Sequence, residues 1–415
     1  MSRSTAQPEV TTAGRSLRIL YHHRTQGRGA EGVHITSIVH ALERMGHEVT
    51  VLSPAGIDPL ASAGAAPVDK SRVPTRGVQT AWKWISRYLP NALFELAEMG
   101  YNFAAARRLE RELAAGRYDI VYERYAFFLV AGALKAAKHK VPFILEANEV
   151  SGIRGRARRQ TFGRACALFE QALFHRCAGI LAVSSHLRDR VLARGVPPDR
   201  VRVVPNAVDL EKFAGVQRDA TLTARLGLNG RQVIVVAGWF DAWDRLDFLV
   251  EALARLVVPF PHVCLLVVGD GPVLARARQR IDALRLSGHA VFAGAVPRQE
   301  VLGYLSQGDV AVLPHSNEFG SPIVMFEYMG LRVPIVAPRL PPIEDVHVDR
   351  RTALLFSPLD LGEFVAQIEA FLASIELRKE IATCAFEKLA REHTWECNAR
   401  QILRAAHIDR DELRK

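Results

Sequence analysis

Long apolar runs and patterned cysteines are both missing from this chain of 415 residues. No stretch approaches the roughly 18 consecutive apolar residues of a membrane-spanning helix, and the opening MSRSTAQPEVTTAGR lacks the apolar core of a secretory signal. The five cysteines have neither metal-ligand nor disulfide spacing, so we interpret them as small core residues in a reducing compartment and expect no metal site. They are Cys166, Cys177, Cys264, Cys384 and Cys397. We therefore expect a cytoplasmic protein, with peripheral attachment to the inner face of the plasma membrane as an open alternative.

The sequence also has no short-period repeat, low-complexity tract or zinc pattern, which argues against a solenoid or a disordered chain. What it does have is a hydrophobic fraction of 49% over its whole length. That is enough for two globular domains of about 200 residues, each with its own core.

Charge is distributed unevenly between the two halves. The formal net charge is +10, but residues 1–200 carry 29 Lys and Arg against 17 Asp and Glu, whereas residues 201–415 carry 25 against 27. The N-terminal half therefore has a net charge of +12 and the C-terminal half of −2. Such an asymmetry suggests an anionic partner for the first half, either nucleic acid, phospholipid headgroups or a phosphorylated acceptor. The alternative is that the excess reflects an Arg-rich proteome and not a binding partner.

Two basic stretches account for much of this charge. The segment 70–90, KSRVPTRGVQTAWKWISRYLP, mixes aromatic and cationic residues, which fits either an interfacial helix on an anionic bilayer or an amphipathic helix packed on its own domain. A second basic run lies between Glu149 and Glu170 and adds to the membrane interpretation. It consists of Arg154, Arg156, Arg158, Arg159 and Arg164.

Short β-branched runs alternate with helical patterns along the chain, six before the segment PNAVDLEKF and six after it. The first six are 17–22, 47–52, 118–123, 142–147, 178–183 and 201–204, and the second six are 231–238, 262–269, 289–294, 309–314, 333–338 and 352–356. Strands that alternate with helices predict parallel sheets. We therefore predict an α/β chain with two tandem doubly wound, Rossmann-like domains. Open α/β sheets bind ligands at the carboxyl ends of their strands, so the two domains should face a central cleft.

The predicted divisions are a flexible N-terminus (1–15), an N-terminal domain (16–208), a C-terminal domain (209–392) and a C-terminal helix (393–415) that returns to the N-terminal domain. Glycines follow the first strand of the first domain, where Gly27, Gly29 and Gly32 surround a predicted helix start. They allow close backbone approach to a ligand beside unpaired N–H groups. Their spacing is not G-x-G-x-x-G, so a tight strand-to-helix turn explains them equally well.

Glycines also follow two strands of the second domain, in AGWFDAWDR (237–245) and VGDGP (268–272). They would permit close approach of a phosphate or a base, although Asp270 could simply form a turn. These glycines are Gly238, Gly269 and Gly271. Arg245 in the first loop either pairs with a diphosphate or bridges to its neighbours Asp241 or Asp244.

The stretch EFGSPIVMFEYMG (318–330) combines a helix start with two glutamates. Ser321 is a preferred N-cap and Pro322 fits the first helical position, which predicts a helix whose N-terminus can bind an anion. Glu327 lies about a turn and a half into this helix among apolar residues, so its carboxylate needs a partner. Glu318 lies on the other side of the Ser-Pro pair.

Taken together, these stretches resemble a retaining glycosyltransferase of the GT-B fold, in family 4 (group 1) of the nucleotide-sugar-dependent enzymes. The motifs that carry the resemblance are GHEVTVLSP, DIVYERY, AVSS, VVPNAVDLEKF, VGDGP and FEYMG. The resemblance implies an acceptor site on the N-terminal domain and a donor site on the C-terminal domain, which agrees with the charge asymmetry. It implies sugar transfer from a uridine or guanosine diphosphate sugar to a polysaccharide precursor or a lipid-linked acceptor, with no cofactor, no metal and no nucleic acid.

The same resemblance assigns roles to residues. In the family's Glu-x7-Glu element the second glutamate, here Glu327, accepts hydrogen bonds from the donor ribose, and the first lies near the donor sugar. Eight residues separate Glu318 from Glu327, so strict spacing would put Phe319 in the first position; Glu318 is kept as a catalytic candidate. The other implied donor-binding residues are Arg245, Gly238, Gly269, Gly271, Ser321, Pro322, Ile323, Val324 and Val296.

Two further departures from the family pattern affect the expected site. Trp239 stands where relatives have the arginine of an Arg–Lys pair, so we expect Arg245 to take over the phosphate contact. Asn148 and Glu149 replace the His-Asp that ends the equivalent strand in relatives, and Asn148 is the second catalytic candidate. The acceptor-side candidates are Gly27, Gly29 and Glu31. The open alternatives are a nucleotide-sugar epimerase on the same fold and a non-catalytic nucleotide-sugar-binding relative.

Overall fold

The structure is a computed structural model that describes residues 15–25, 30–54, 57, 59–62, 91–153 and 160–406. All twelve predicted strands are present and form two six-stranded sheets in which every pairing is parallel. This confirms the α/β prediction of two tandem doubly wound domains. The segment 70–90, the basic run 154–159 and both chain ends beyond residues 15 and 406 lie outside the described residues.

The N-terminal sheet has the strand order β2-β1-β3-β4-β5-β6. Its strands are β1 (Arg18–His22), β2 (Glu48–Leu52), β3 (Ile120–Arg124), β4 (Phe143–Ala147), β5 (Gly179–Ala182) and β6 (Val201–Val203). The helices described in this part of the chain are α1 (Ala30–Arg44), α2 (Pro59–Ser62), α3 (Asn91–Ala115), α4 (Ala131–His139), α5 (Gly163–Phe174) and α6 (Ser185–Leu192). Helix α6 begins where the Ser184 hydroxyl accepts a hydrogen bond from the Leu187 N–H, as expected of an N-cap serine.

The C-terminal sheet has the strand order β12-β11-β10-β7-β8-β9. Its strands are β7 (Gln232–Trp239), β8 (Val263–Asp270), β9 (Ala290–Gly294), β10 (Val310–Val312), β11 (Ile335–Pro338) and β12 (Leu354–Phe356). The helices are α7 (Ala220–Arg225), α8 (Leu246–Leu256), α9 (Leu274–Ala283), α10 (Val301–Leu305), α11 (Ile323–Gly330), α12 (Pro341–Glu344), α13 (Leu361–Ala373) and α14 (Ile375–Glu392).

Each sheet separates two apolar cores because successive side chains of a strand point to opposite faces. In β7, Ile234 and Val236 belong to one core cluster, while Val233 and Val235 belong to another. The same alternation divides β1 of the N-terminal sheet between two further clusters. Burial on both faces explains why these strands read as nearly continuous apolar runs in the sequence.

The last helix, α15 (Trp395–Ala405), lies against the N-terminal sheet. Its side chains share a core cluster with Ile19 and Ile38, and a Cβ placed at Gly179 of β5 would lie 2.7 Å from the Ala405 Cβ. The chain reaches this position beside the link from the first domain, where the Val208 N–H donates to the His393 carbonyl at 3.1 Å. Two chain segments therefore cross between the domains side by side.

Of the helices described, none combines the length and apolar character that crossing a bilayer requires.

Candidate functional site

At the carboxyl edge of the C-terminal sheet, the paired ends of β7 and β8 and the residues that follow them touch through their backbones. A Cβ at Gly269 would lie 1.9 Å from the Gly238 carbonyl oxygen, and a Cβ at Gly271 would lie 2.3 Å from that of Phe240. Gly269 also has a φ of +127°, which disfavours any other residue. These two glycines are therefore needed for this close backbone contact, whereas a Cβ at Gly238 would meet nothing within 4 Å. Gly238 is the one of the three whose backbone is open on its Cβ side.

Arg245 follows a short 3₁₀ helix (Ala242–Asp244) and begins α8 from a left-handed backbone conformation with φ of 48°. Its Nε and Nη2 atoms donate to the two carboxylate oxygens of Asp247 at 2.9 and 3.0 Å. This hydrogen bonding raises the pKa of Arg245 and lowers that of Asp247. The partner of Arg245 is thus Asp247, not Asp241 or Asp244.

The Arg245 side chain lines a groove of about 470 Å³ between the start of α8 and α9. Behind it, the Asp244 carboxylate accepts a hydrogen bond from the Asp241 N–H at 2.7 Å. Burial, reinforced by the Asp241 charge, raises the pKa of Asp244 to about 6. On the neighbouring loop, the Nδ1 atom of His315 lies 3.1 Å from the Trp243 carbonyl. Burial, with a smaller contribution from Arg245, lowers the pKa of this imidazole.

Helix α11 begins at Ile323, and Pro322 occupies its N-cap position with an extended ψ of 116°. The prediction that Ser321 caps this helix and Pro322 is its first residue is therefore wrong. Ser321 is buried, and its hydroxyl accepts a hydrogen bond from the Asn206 N–H at 3.0 Å. The Asn206 side chain also donates to the Ser321 carbonyl at 2.6 Å. The hydroxyl is used to join the helix start to the link between the domains, which local sequence could not reveal.

Glu327 lies on α11 with only 3% of its surface exposed, between the fully buried Phe326 and Tyr328. Its Oε1 atom accepts a hydrogen bond from the guanidinium of Arg298, which lies in the loop after β9. Sequence reasoning missed Arg298. The signal was available, since a cation that directly follows a predicted parallel strand lies at the same sheet edge as the other strand-end loops.

Glu318 is exposed in the loop between β10 and α11, and the adjacent Phe319 turns towards the N-terminal domain. The Phe319 ring packs against an N-terminal core cluster, and its carbonyl accepts a hydrogen bond from the Ser184 hydroxyl at 2.7 Å. Asn317 folds the loop by accepting hydrogen bonds from the N–H groups of Phe319 and Gly320. The residue in strict register with the family's first glutamate is therefore a domain-to-domain contact.

Asn148 follows β4 at the carboxyl edge of the N-terminal sheet. Its Oδ1 atom is buried, and among the described residues it has no hydrogen-bond partner. Glu31 lies exposed in the first turn of α1. Burial would lower the pKa of Arg124, but Glu146, with smaller contributions from Tyr21 and Glu31, raises it. Gly27 and Gly29 lie outside the described residues.

A buried charge network underlies this edge. The carboxylate of Glu146, on β4, contacts three side chains: Tyr122 Oη donates at 2.7 Å, Arg124 donates a charged hydrogen bond, and His34 Nε2 lies 2.9 Å away. Burial alone would raise the pKa of Glu146, but Arg124 and His34 outweigh it and lower the value to about 2. Trp395 of α15 covers His34 edge-on, with 4.8 Å between ring centroids.

The end of β1 carries two more buried histidines. His22 pairs through Nδ1 with Glu123 of β3, and His23 Nε2 lies 2.8 Å from the Ser53 hydroxyl. Burial lowers the pKa of His23 to about 4, helped by the neighbouring His22. Sequence reasoning missed this histidine pair and the Glu146 network. The available signal was the polar and charged residues within predicted apolar strands, in LYHH, VYER and ILEA. Such groups need hydrogen-bonding partners when they are buried.

Comparison with known families decides what kind of protein this is. The family models described as Glycosyltransferase Family 4 and as Glycosyl transferases group 1 match residues 31–212 and 231–374. The chain belongs to the group 1 glycosyltransferases of family 4. Among curated relatives, this glycosyltransferase is 26% identical over 381 residues to the phosphatidyl-myo-inositol mannosyltransferase of Mycolicibacterium smegmatis, covering 89% of this chain and 88% of that protein. It is 26% identical to the D-inositol 3-phosphate glycosyltransferase of Geodermatophilus obscurus, covering 75% and 71%.

Solved structures place the glycosyltransferase in the GT-B fold. A glycosyltransferase from Rickettsia africae ESF-5 matches with a TM-score of 0.71 at 14% identity, covering 94% of this chain and 98% of that one. Anabaena Alr3699/HepE in complex with UDP matches with a TM-score of 0.68 at 15% identity, covering 94% and 100%. The predicted family and the predicted GT-B fold are thus confirmed.

Within this glycosyltransferase, the described residues contain no group of three or more His, Cys, Asp or Glu side chains arranged to hold a metal ion. The predicted donor-binding residues lie at the carboxyl ends of β7 and β8, in the segments that follow strands of the same sheet, and in or just before α11. Val296 and Val324 both pack against the core cluster that contains Tyr328. Glu318 and Asn148 come from different domains.

Proposed function

We propose that the protein transfers a sugar from a nucleoside-diphosphate sugar to a polysaccharide-precursor or lipid-linked acceptor, with retention of configuration at the anomeric carbon and without a metal ion. Glu327 would accept hydrogen bonds from the donor ribose, and Arg245 would contact the diphosphate after releasing Asp247. The single observation that carries the proposal is the buried Glu327 carboxylate on α11. This carboxylate has one charged partner, Arg298, and can accept further hydrogen bonds, which a pair of ribose hydroxyls could donate.

The names of relatives support the two substrate classes. Two solved neighbours are described as complexes with UDP and with UDP-glucose. The curated relatives are named for transfer to phosphatidyl-myo-inositol and to inositol 3-phosphate. An anionic acceptor of either kind suits the excess of Lys and Arg in residues 1–200. An anionic membrane surface at the inner face of the plasma membrane is part of the proposal, because a lipid-linked acceptor would have to be reached there.

For the chemical step, we place the transferred sugar between Asn148 and the loop of Glu318. In a retaining front-face reaction the leaving phosphate itself can accept the acceptor proton, so the protein chiefly positions the two substrates and stabilises charge. Asn148 Oδ1, which has no hydrogen-bond partner in the part of the chain that the structure describes, suits a hydrogen bond from a sugar hydroxyl. Glu318, exposed at the end of the loop, would lie near the same sugar.

The proposal is tested first by a thermal-shift panel of uridine, guanosine and adenosine diphosphates and their sugars. We expect one base to stabilise the protein, and Glu327→Ala to abolish that shift while the protein stays folded. Unchanged nucleotide affinity of this variant in calorimetry would refute the role of Glu327. With the stabilising nucleotide sugar, release of nucleoside diphosphate should require an acceptor and should not change with EDTA. NMR of the product then reports the anomeric configuration.

The same assay separates the alternatives. An epimerase would change the donor sugar without any acceptor and without releasing nucleoside diphosphate. A non-catalytic relative would bind the nucleotide sugar with no turnover, an outcome that Phe319 in the family's glutamate register keeps open. Sedimentation with anionic liposomes that weakens with added salt would support the membrane surface, and no sedimentation would refute it.

A further inference from the structure

Arg298 is the charged partner of the buried Glu327 in the described structure. The two side chains differ sharply in environment, since 4% of the Glu327 side-chain surface is exposed and 48% of the Arg298 side-chain surface. Such a pair is not an ordinary surface ion pair. Removing the arginine would leave a carboxylate among buried apolar groups without its cation, which is costly.

The loop that carries Arg298 is anchored on both sides. Before the arginine, Val296 packs against the same core cluster as Val324 of α11, and after it the Glu300 N–H donates to the Pro297 carbonyl at 2.9 Å. Val301 continues the contact with that cluster. The backbone that carries Arg298 is thus held in a closed turn between two packed residues, so its position is fixed before a ligand binds.

A carboxylate can accept about four hydrogen bonds, and the one from Arg298 uses part of this capacity at Oε1. The contact fixes the rotation of the carboxylate and leaves acceptor positions for other donors. Resting on the proposed function, in which Glu327 binds the donor ribose, we propose that Arg298 is a positioning residue. It stays paired while the nucleotide binds and orients the Glu327 carboxylate towards the ribose hydroxyls.

The test measures ribose recognition separately from phosphate recognition. Calorimetry compares UDP and GDP with their 2′-deoxy counterparts and with inorganic pyrophosphate, for the wild type and for Arg298→Gln and Arg298→Lys. We expect Arg298→Gln to weaken binding of the preferred ribonucleotide about tenfold, the size of one hydrogen bond to a charged group. Binding of the 2′-deoxy nucleotide, which keeps one of the two hydroxyls, should weaken less, and binding of pyrophosphate should change little. Arg298→Lys should recover much of the loss.

Arg218→Gln is the matched control, since Arg218 is an exposed arginine paired with Asp309 at 3.3 Å, next to the start of β10 at the opposite sheet edge. It should leave all affinities unchanged. Tighter ribonucleotide binding by Arg298→Gln would overturn the proposal, because the guanidinium would then compete with the ribose. An equal loss for all ligands would also overturn it in favour of simple loop support. A wild type that binds neither nucleotide would instead overturn the proposed function, and this inference with it.

Discussion

The carboxyl edges of the two sheets are built in opposite ways. At the N-terminal edge, buried charges face one another, as in the contacts of Glu146 with His34 and Arg124. At the C-terminal edge, glycine backbones touch and a buried carboxylate, Glu327, pairs with a half-exposed arginine. The first edge pairs its buried charges with one another, although Asn148 Oδ1 has no hydrogen-bond partner among the described residues, whereas the second keeps charged groups within reach of solvent. We propose that the N-terminal edge is a rigid support and that the C-terminal edge is where a charged ligand would exchange partners with these side chains.

The largest expected effect comes from removing the Glu146 carboxylate at the centre of the buried network. Glu146→Ala leaves Arg124 and His34 buried without their carboxylate, so we expect the free energy of unfolding to fall by about 3–5 kcal/mol in urea denaturation. Because the folded-state pKa of Glu146 is lowered to about 2, its contribution is complete above the ordinary carboxyl pKa and is lost as the pH falls towards 2.

Glu48→Ala is the control for that variant, since Glu48 pairs with Arg18 at 3.2 Å on the surface of the same sheet. It should cost less than about 1 kcal/mol. A similar loss in the two variants would mean that the buried network adds no more than a surface pair, and the contrast between the two edges would disappear.

The contrast also explains which features the sequence could predict. The strands were predictable because burial on both faces leaves apolar runs in the local sequence. Glu327 was singled out for a related reason, as a charge within an apolar helix. The network at the N-terminal edge joins residues that are far apart, with 101 positions between His22 and Glu123 and 112 between His34 and Glu146. A single sequence does not reveal such pairings.

Errors and omissions at the candidate site have the same origin. Ser321 has the local chemistry of an N-cap, but Asn206, 115 positions away, takes its hydroxyl. Arg298 and Glu327 are 29 positions apart and meet only because β9 and α11 converge at one edge of the folded domain. Local preferences therefore predicted the elements, and tertiary contacts decided how their end residues are used.

A second prediction concerns the backbone contact at the C-terminal edge. Gly269→Ala places a Cβ against the Gly238 carbonyl in a strained φ region, so we expect a loss of about 1–3 kcal/mol in the free energy of unfolding. Nucleotide affinity should fall as well, because the paired ends of β7 and β8 must shift. Gly288→Ala is the control, since a Cβ there meets nothing within 4 Å and the backbone carries no positive φ. If the two alanine variants unfold at the same urea concentration, the stability of this sheet edge does not depend on the backbone contact.

A third prediction tests partner exchange directly. Arg245→Ala should weaken binding of the nucleoside diphosphate about fivefold to tenfold and binding of the nucleoside much less. Asp247→Ala frees the same guanidinium from its present partner, so it should leave diphosphate binding unchanged or tighten it. Calorimetry with both ligands measures the two variants. Equal loss for nucleoside and diphosphate in Arg245→Ala would count against a phosphate contact.

The smallest expected effect concerns Asp244, which lies behind Arg245. Its pKa is raised to about 6 by burial and by Asp241, so the folded state favours the neutral acid. The resulting loss of stability grows as the pH rises from the ordinary aspartate pKa to about 6 and is complete above that. Asp244→Asn keeps an oxygen that can accept from the Asp241 N–H. In thermal denaturation it should raise Tm at pH 8 more than at pH 5.

Asp219→Asn, at the exposed N-cap of α7, is the control and should give no such gain. A change in Tm of Asp244→Asn that is the same at both pH values would contradict this explanation. A pH-dependent gain would mean that a carboxylate beside Arg245 costs stability at neutral pH, the opposite of the contribution expected from Glu146 at the other edge.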